Sequence, residues 1–108
     1  MNDQEFRDRA DHALKSLEKA LLRAGDEYGF ETDSNQGALT VEFEDPPAKF
    51  VVSPNSPVRQ IWVSARVKSF KLEWDDARSG FVLDADGRSL QQLLGDLASE
   101  QIGRDVVL

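Results

Sequence analysis

Apolar residues recur every three or four positions at the start of the chain. From Phe6 to Ala24 they fall at positions 6, 10, 13, 14, 17, 20, 21 and 24, the spacing of one buried face of an α-helix. Asn2 and Glu5 have the spacing of a capping box, and Gly25 is a residue that commonly ends a helix. The pattern therefore predicts an amphipathic helix over residues 3–24.

The hydrophobic period changes to two in the middle of the chain. Leu39, Val41 and Phe43 alternate with polar residues, which is typical of a strand with one buried face. Similar short runs follow, separated by turn residues, so we expect a meander of about six antiparallel strands. The predicted strands are 28–33, 39–44, 49–53, 59–64, 70–74 and 81–83.

A second helix is predicted at the end of the chain, where Ser89 and Gln92 repeat the capping pattern. Its apolar stripe consists of Leu90, Leu93, Leu94, Leu97 and Ala98 and ends near Gly103. Two helices and a sheet with one apolar face each pack most simply when both helices cover the same sheet face. We therefore expect an α+β fold, a two-layer sandwich with two terminal helices on one face of a roughly six-stranded antiparallel sheet. Residues 1–108 would form a single domain, with 104–108 as a tail.

The composition excludes several kinds of chemistry. The 108 residues include no Cys and a single histidine, His12, which rules out thiol nucleophiles, disulfides and thiolate metal sites. No apolar run exceeds three residues, far short of a membrane span. The N-terminus lacks the basic start of a secretion signal. We expect a soluble cytoplasmic protein that does not contact a membrane.

The negative charge is concentrated at one end of the chain. The formal net charge is −7; residues 1–45 hold 12 Asp and Glu against 5 Lys and Arg, and the remaining residues hold 8 of each. Such a field repels nucleic acids and attracts cations or a basic protein surface. Nucleic acid is therefore not an expected partner.

Carboxylates on the first helix are spaced three, four and seven residues apart, which places them on one face. With the segment that follows, the set comprises Asp8, Asp11, Glu18, Asp26, Glu27, Glu31 and Asp33. Clustered carboxylates could hold hard cations through oxygen ligands. A solvated helix face, interrupted by Lys15, Lys19 and Arg23, is the alternative interpretation.

Trp62 is expected on the open face of the sheet. Strand alternation turns Ile61 and Val63 to one side and Trp62 to the other. An exposed aromatic on a rigid sheet is typical of a protein interface; the alternative is an indole that is merely tolerated beside long neighbouring side chains. Trp74 lies in phase with Phe70, so we expect it in the core.

No arrangement of residues indicates catalysis. Asp84 to Gly87 resemble part of a calcium loop, but the first and twelfth ligand positions would be Val82 and Leu93. His12 and Ser16 are ordinary neighbours on a helix surface, where nothing orients a serine for attack. We expect a turn at 84–87 and a protein that is not an enzyme.

Three segments resemble the frataxin family in its bacterial form: NQGALTV at 35–41, PVRQIWVS at 57–64 and DGRSL at 86–90, followed by Leu93 and Leu94. The predicted order of elements, the acidic first helix and the start MNDQEF at 1–6 are similar as well. The resemblance covers nearly the whole chain, and the strand that contains Gln60 and Trp62 is its most specific part. It implies the two-layer fold already predicted.

The resemblance also implies a function. It implies a monomeric, non-catalytic bacterial protein that binds iron weakly on an acidic ridge and docks on the cysteine desulfurase and the scaffold protein of iron–sulfur cluster assembly, modulating the desulfurase. The implied iron ligands are Asp3, Asp8, Asp11, Glu18, Asp26, Glu27, Glu31 and Asp33. The implied partner contacts are Glu42, Glu44, Gln60, Trp62 and Lys71.

Two other functions remain open. The chain could be an acidic protein-interaction module whose metal binding is incidental. A small ferroxidase is a weaker possibility, because acids on a helix surface cannot assemble a buried dinuclear site.

Overall fold

The computed structural model describes all residues, Met1–Leu108, as two helices and six strands. Helix α1 spans Asp3–Tyr28 and helix α2 spans Leu90–Ile102. The strands are β1 (Glu31–Asn35), β2 (Ala38–Glu44), β3 (Pro47–Asn55), β4 (Gln60–Ala65), β5 (Lys68–Asp75) and β6 (Gly80–Leu83), with a short 3₁₀ turn at Ser56–Val58. The strands pair antiparallel in chain order, which confirms the predicted meander.

Both helices pack on the same face of the sheet and enclose one hydrophobic core of 24 buried residues. Phe6 of α1 meets Phe81 of β6 edge to face, with ring centroids 5.9 Å apart. Ile61 of β4 and Leu93 of α2 are fully buried in the same core. The predicted α+β sandwich is therefore confirmed. Neither helix is both long and apolar enough to cross a membrane.

Helix α1 continues one turn beyond its predicted end at residue 24. Gly25 lies inside the helix and is buried, and the helix ends instead at Gly29, whose φ of 84° is left-handed. A Cβ atom at position 25 would lie 2.4 Å from the backbone oxygen of Phe30. Gly25 thus permits the chain to pass close to the helix, and the prediction that it ends the helix is wrong. The first strand accordingly begins at residue 31 rather than 28.

Two tight hairpins make β3 and β5 longer than predicted. Glu44 pairs with Pro47, and Ala65 pairs with Lys68, so only two residues form each loop. The sequence pattern predicts loops at Pro47 and Lys68, because proline ends the preceding strand and short polar segments separate the later ones. Pairing therefore extends to the ends of both strands.

The loop before α2 is held by Arg88. Its backbone N–H donates to Asp86 Oδ1 at 3.0 Å, and its guanidinium donates to Asp86 Oδ2 at 2.9 Å and to Asp96 Oδ2 at 3.0 Å. The hydrogen bonds from Arg88 to Asp86, the backbone one first, lower the pKa of Asp86 below its ordinary value. The predicted capping box follows, with Gln92 N–H donating to Ser89 Oγ at 3.1 Å.

Residues 104–108 form neither helix nor strand, but they are held against α2. Val106 is buried in the core, and its backbone N–H donates to Ser99 Oγ at 2.8 Å. A Cβ atom at Gly95 would lie 3.3 Å from the Val106 oxygen. The expected tail therefore packs along the helix rather than extending into solvent.

Candidate functional site

The open face of the sheet presents Trp62 to solvent. On β4, Ile61 is 0% and Val63 1% exposed, whereas Trp62 is 38% exposed. Trp62 lies between Ser53 of β3 and Lys71 of β5 in the antiparallel register. The predicted orientation of the strand is therefore confirmed.

The Trp62 indole is fixed by polar neighbours. Its Nε1 donates to Gln60 Oε1 at 2.9 Å, and Gln60 Nε2 donates to Glu73 Oε1 at 2.9 Å. The ammonium of Lys71 lies 5.0 Å from the centroid of the indole ring, within range of a cation–π interaction. The structure thus brings together Gln60, Trp62 and Lys71, three residues proposed from the sequence as partner contacts.

A hollow of about 350 Å³ lies beside Trp62 on the same face. Small side chains line it, among them those of Val51, Ser64 and Ser69, which are adjacent in the register of β3, β4 and β5. Nothing in the sequence pattern singled out these residues. Because the indole is large and the side chains next to it are small, this face has a depression that a partner side chain could enter.

Trp74 packs at the margin of the core rather than inside it. Its ring lies 5.3 Å from that of Phe81, and the guanidinium of Arg9 lies 4.4 Å from its centroid. Its Nε1 donates to Asp76 Oδ1 at 2.7 Å. The expected core position is therefore corrected to a partly buried one, since the indole nitrogen reaches a polar partner at the surface.

The predicted iron ligands are distributed over α1 and β1. All eight are exposed except Glu18, which is partly buried. Three in the first half of α1 already have polar partners within the chain. Asp3 Oδ1 pairs with Arg59 at 3.0 Å, Asp11 Oδ2 pairs with Lys15 at 3.0 Å, and Asp8 Oδ1 accepts from the Gln4 amide at 2.9 Å.

Four carboxylates line a cleft of about 430 Å³ where the C-terminal end of α1 meets β1 and β2. We call this set, Asp26, Glu31, Glu42 and Glu44, the acidic cleft. None of the four forms an ion pair within the chain. Glu31 and Glu42 are direct partners in the β1–β2 register. From the sequence, Asp26 and Glu31 are predicted iron ligands, and Glu42 and Glu44 are predicted partner contacts. The structure brings all four to one cleft.

The acidic cleft is not a preformed metal centre. No group of three or more Asp, Glu, His or Cys side chains is arranged to hold a metal ion. Glu27 and Asp33 do not line the cleft, and a hydrogen bond with Glu27 raises the pKa of Tyr28. Exposed oxygen donors of this kind suit hard cations bound weakly, or basic groups of a protein partner.

Comparison with known proteins relates this chain to a family. The family model described as frataxin-like domain matches residues 1–104. The chain is 35% identical over 108 residues to the iron-sulfur cluster assembly protein CyaY of Dechloromonas aromatica (strain RCB), covering 100% of this chain and 99% of that protein. It is 32% identical over 111 residues to the protein of the same name from Paraburkholderia xenovorans (strain LB400), covering 98% and 96%.

The fold has a counterpart among solved structures. Frataxin from Psychromonas ingrahamii superposes with a TM-score of 0.76 at 22% sequence identity, covering 99% of this chain and 97% of that chain. At this identity the likeness concerns the fold alone.

Proposed function

Because the chain belongs to the frataxin-like family, we propose that it acts in iron–sulfur cluster assembly as a non-catalytic regulator. It binds iron weakly and docks, as a monomer in the bacterial cytoplasm, on the cysteine desulfurase and the scaffold protein. Relatives of this chain are named iron-sulfur cluster assembly proteins, and these names support a role in the same process. The docking and the iron binding are argued from residues of this chain.

The exposed Trp62 carries the docking proposal. A large aromatic side chain held rigidly on an open sheet face is the kind of residue that dominates binding energy in protein interfaces. Its hydrogen bond to Gln60 and the cation over its ring fix the indole before a partner arrives, which reduces the entropy lost on binding. We assign this face to the scaffold protein.

The acidic cleft and the acids along α1 support iron binding and electrostatic attraction of the desulfurase. Carboxylates are hard ligands that suit ferrous and ferric ions, and the absence of His and Cys from the cleft leaves only such ligands. Because the donors are exposed, iron would exchange readily, as expected for a metal that is passed on. The same negative surface would attract a basic surface of the desulfurase.

A binding experiment tests this function. The purified chain is mixed with desulfurase and scaffold from the same bacterium, with and without ferrous iron, and the complexes are isolated by pull-down. We expect binding of both partners, and loss of scaffold binding in Trp62→Ala. Failure of the wild-type chain to bind either partner would overturn the proposal.

A second function, an interaction module whose metal binding is incidental, is favoured by the absence of grouped ligands. It predicts that Glu31→Gln/Glu42→Gln changes iron binding while the desulfurase rate measured with the complex stays at the wild-type level. The regulator model instead predicts that the effect of added iron on that rate is reduced in the same variant.

A further inference from the structure

The turn between β4 and β5 exposes two large side chains in a place that favours glycine. Arg66 and Val67 form the two-residue loop, since Ala65 pairs with Lys68. Arg66 has a φ of 60°, a conformation that glycine adopts more easily in such hairpins. Val67 is 100% exposed. A glycine at position 66 would relieve the backbone strain, and Val67 buries none of its surface within the chain.

A buried glutamine holds the Arg66 side chain in position. Gln101 of α2 is only 3% exposed, and its Oε1 accepts from Arg66 Nε at 2.6 Å. Its Nε2 donates to the backbone oxygen of Pro46 at 2.8 Å. Gln101 contacts Arg66 through Nε alone. The two terminal nitrogens of the Arg66 guanidinium have no partner within the chain.

The positive charges at this turn are not neutralised internally, although the chain contains 20 Asp and Glu residues. Neither Arg66 nor Lys68 forms an ion pair. Glu100 lines the same cleft between the turn and α2, yet it pairs with neither. A guanidinium held at Nε presents its remaining donors in the geometry that binds a carboxylate in bidentate fashion.

We propose that the Arg66–Lys68 turn is a docking element for an acidic segment of the scaffold protein. Arg66 binds a carboxylate through its terminal nitrogens, Lys68 adds a second positive charge, and Val67 packs on an apolar side chain of the same segment. The inference rests on the proposed function for the identity of the partner. A short acidic segment fits better than a nucleic acid, because a polyanion would also meet the acidic residues of the first 45 positions.

The turn and Trp62 share strand β4 but face different layers. Arg66 bends toward the helices, because its Nε donates to Gln101 of α2, whereas Trp62 faces the open side of the sheet. The acidic segment of a partner seated on Trp62 therefore passes around the end of β4 to reach Arg66. Arg66 follows Trp62 by four positions, a rise of about 13 Å along extended chain. An interface of ordinary size covers about 800 Å² on each partner, which is wide enough to include both.

The test compares two charge-reversed variants that alter the net charge equally. Arg66→Glu/Lys68→Glu and the control Lys19→Glu/Arg23→Glu, on the exposed side of α1, each replace two cations by two anions and change the formal charge from −7 to −11. Affinity for the purified scaffold is measured by calorimetry at low and high ionic strength, beside Trp62→Ala. We expect the turn variant to bind about tenfold more weakly than the control at low salt, with a smaller difference at high salt.

Equal affinity of the turn variant and the control, with Trp62→Ala impaired, would overturn the docking element and leave the proposed function intact. No scaffold binding by the wild-type chain would overturn both.

A second measurement tests whether Gln101 acts through Arg66. Affinities of Gln101→Met, Arg66→Ala and the double variant are determined per folded molecule, with melting temperatures recorded in parallel. If Gln101 positions Arg66, the double variant binds no more weakly than Arg66→Ala. Additive losses in affinity would overturn this positioning role.

Discussion

Trp62 and Gln60 are joined by a hydrogen bond of 2.9 Å from the indole Nε1 to the side-chain oxygen of Gln60. The two residues lie two positions apart on β4 and therefore on the same, open face of the sheet. The bond satisfies the indole nitrogen within the chain, so Trp62 can remain exposed in the unbound protein with a single fixed orientation. Trp74 satisfies its indole nitrogen through Asp76 but packs against the core.

This difference between the two tryptophans predicts opposite effects of truncation. Trp62→Ala should leave the melting temperature near that of the wild type and weaken scaffold binding by about 2 kcal/mol or more. Trp74→Ala should lower the free energy of unfolding by about 2 kcal/mol, because it removes packing on Phe81 and the contact with Arg9. Melting temperature and affinity are measured for both variants.

Trp62→Phe is a useful additional variant because it keeps an aromatic ring but loses the donor to Gln60 and part of the ring area. We expect it to retain part of the binding. A large loss of stability in Trp62→Ala, with unchanged affinity per folded molecule, would show that the indole is structural.

Metal ions should bind first at the acidic cleft. We expect paramagnetic cobalt or europium to broaden amide signals near Asp26, Glu31, Glu42 and Glu44, and millimolar magnesium to compete, because the ligands are exposed oxygens. Glu31→Gln/Glu42→Gln should reduce the broadening, while Asp84→Asn, outside the cleft, should not. Broadening confined to the surroundings of His12 would contradict this prediction.

Charge reversal at Glu18 and Glu31 should slow association with the desulfurase. Glu18→Lys/Glu31→Lys should lower the on-rate at low salt by roughly tenfold and have little effect at high salt, as expected for electrostatic steering. Asp84→Lys/Glu100→Lys changes the net charge equally and serves as the control in stopped-flow measurements. An equal loss at both salt concentrations would argue for direct contacts instead.

Gly25→Ala should destabilise the protein although it replaces glycine within a helix. Alanine ordinarily stabilises an exposed helix interior by up to about 1 kcal/mol relative to glycine. Here the new methyl group would lie 2.4 Å from the oxygen of Phe30, so the chain must shift, and we expect a loss of roughly 1–3 kcal/mol. Urea unfolding measures it, with Ser16→Ala on the exposed surface of α1 as the control; a gain in stability would contradict the close approach.

Asp86 should contribute to stability at neutral pH and lose that contribution in acid. Its pKa in the folded protein lies below its ordinary value, first because the Arg88 backbone N–H donates to its carboxylate. The folded state therefore favours the ionised form, and the contribution is present above the unfolded pKa of about 3.9 and disappears as pH falls through the folded value. The melting temperature of Asp86→Asn should accordingly fall less steeply than that of the wild type between neutral pH and about pH 2.

The matched control for this titration is Asp84→Asn, since the Asp84 side chain accepts no hydrogen bond in the structure. At neutral pH its melting temperature should be close to that of the wild type. Parallel acid curves for Asp86→Asn and the wild type would show that the hydrogen bond does not favour the ionised form.

Local patterns were sufficient for the elements and for the orientation of Trp62. A period of 3.6 or 2 in apolar positions determines which face of a helix or strand is buried, and the capping boxes at Asn2 and Ser89 involve only residues three positions apart. Strand alternation alone turned Trp62 outward, because Ile61 and Val63 had to face the helices. These features depend on neighbours along the chain, so the sequence by itself determined them.

Tertiary structure decided the features that join distant residues. The sequence pattern predicts a helix end at Gly25. The structure requires this glycine instead because Phe30 passes close above it, and no helical pattern contains that approach. The acidic cleft arises from the pairing of Glu31 with Glu42 beside the end of α1. Gln101 reaches Arg66 across 35 positions and Pro46 across 55. Register and packing between elements set these contacts, and a one-dimensional pattern carries neither.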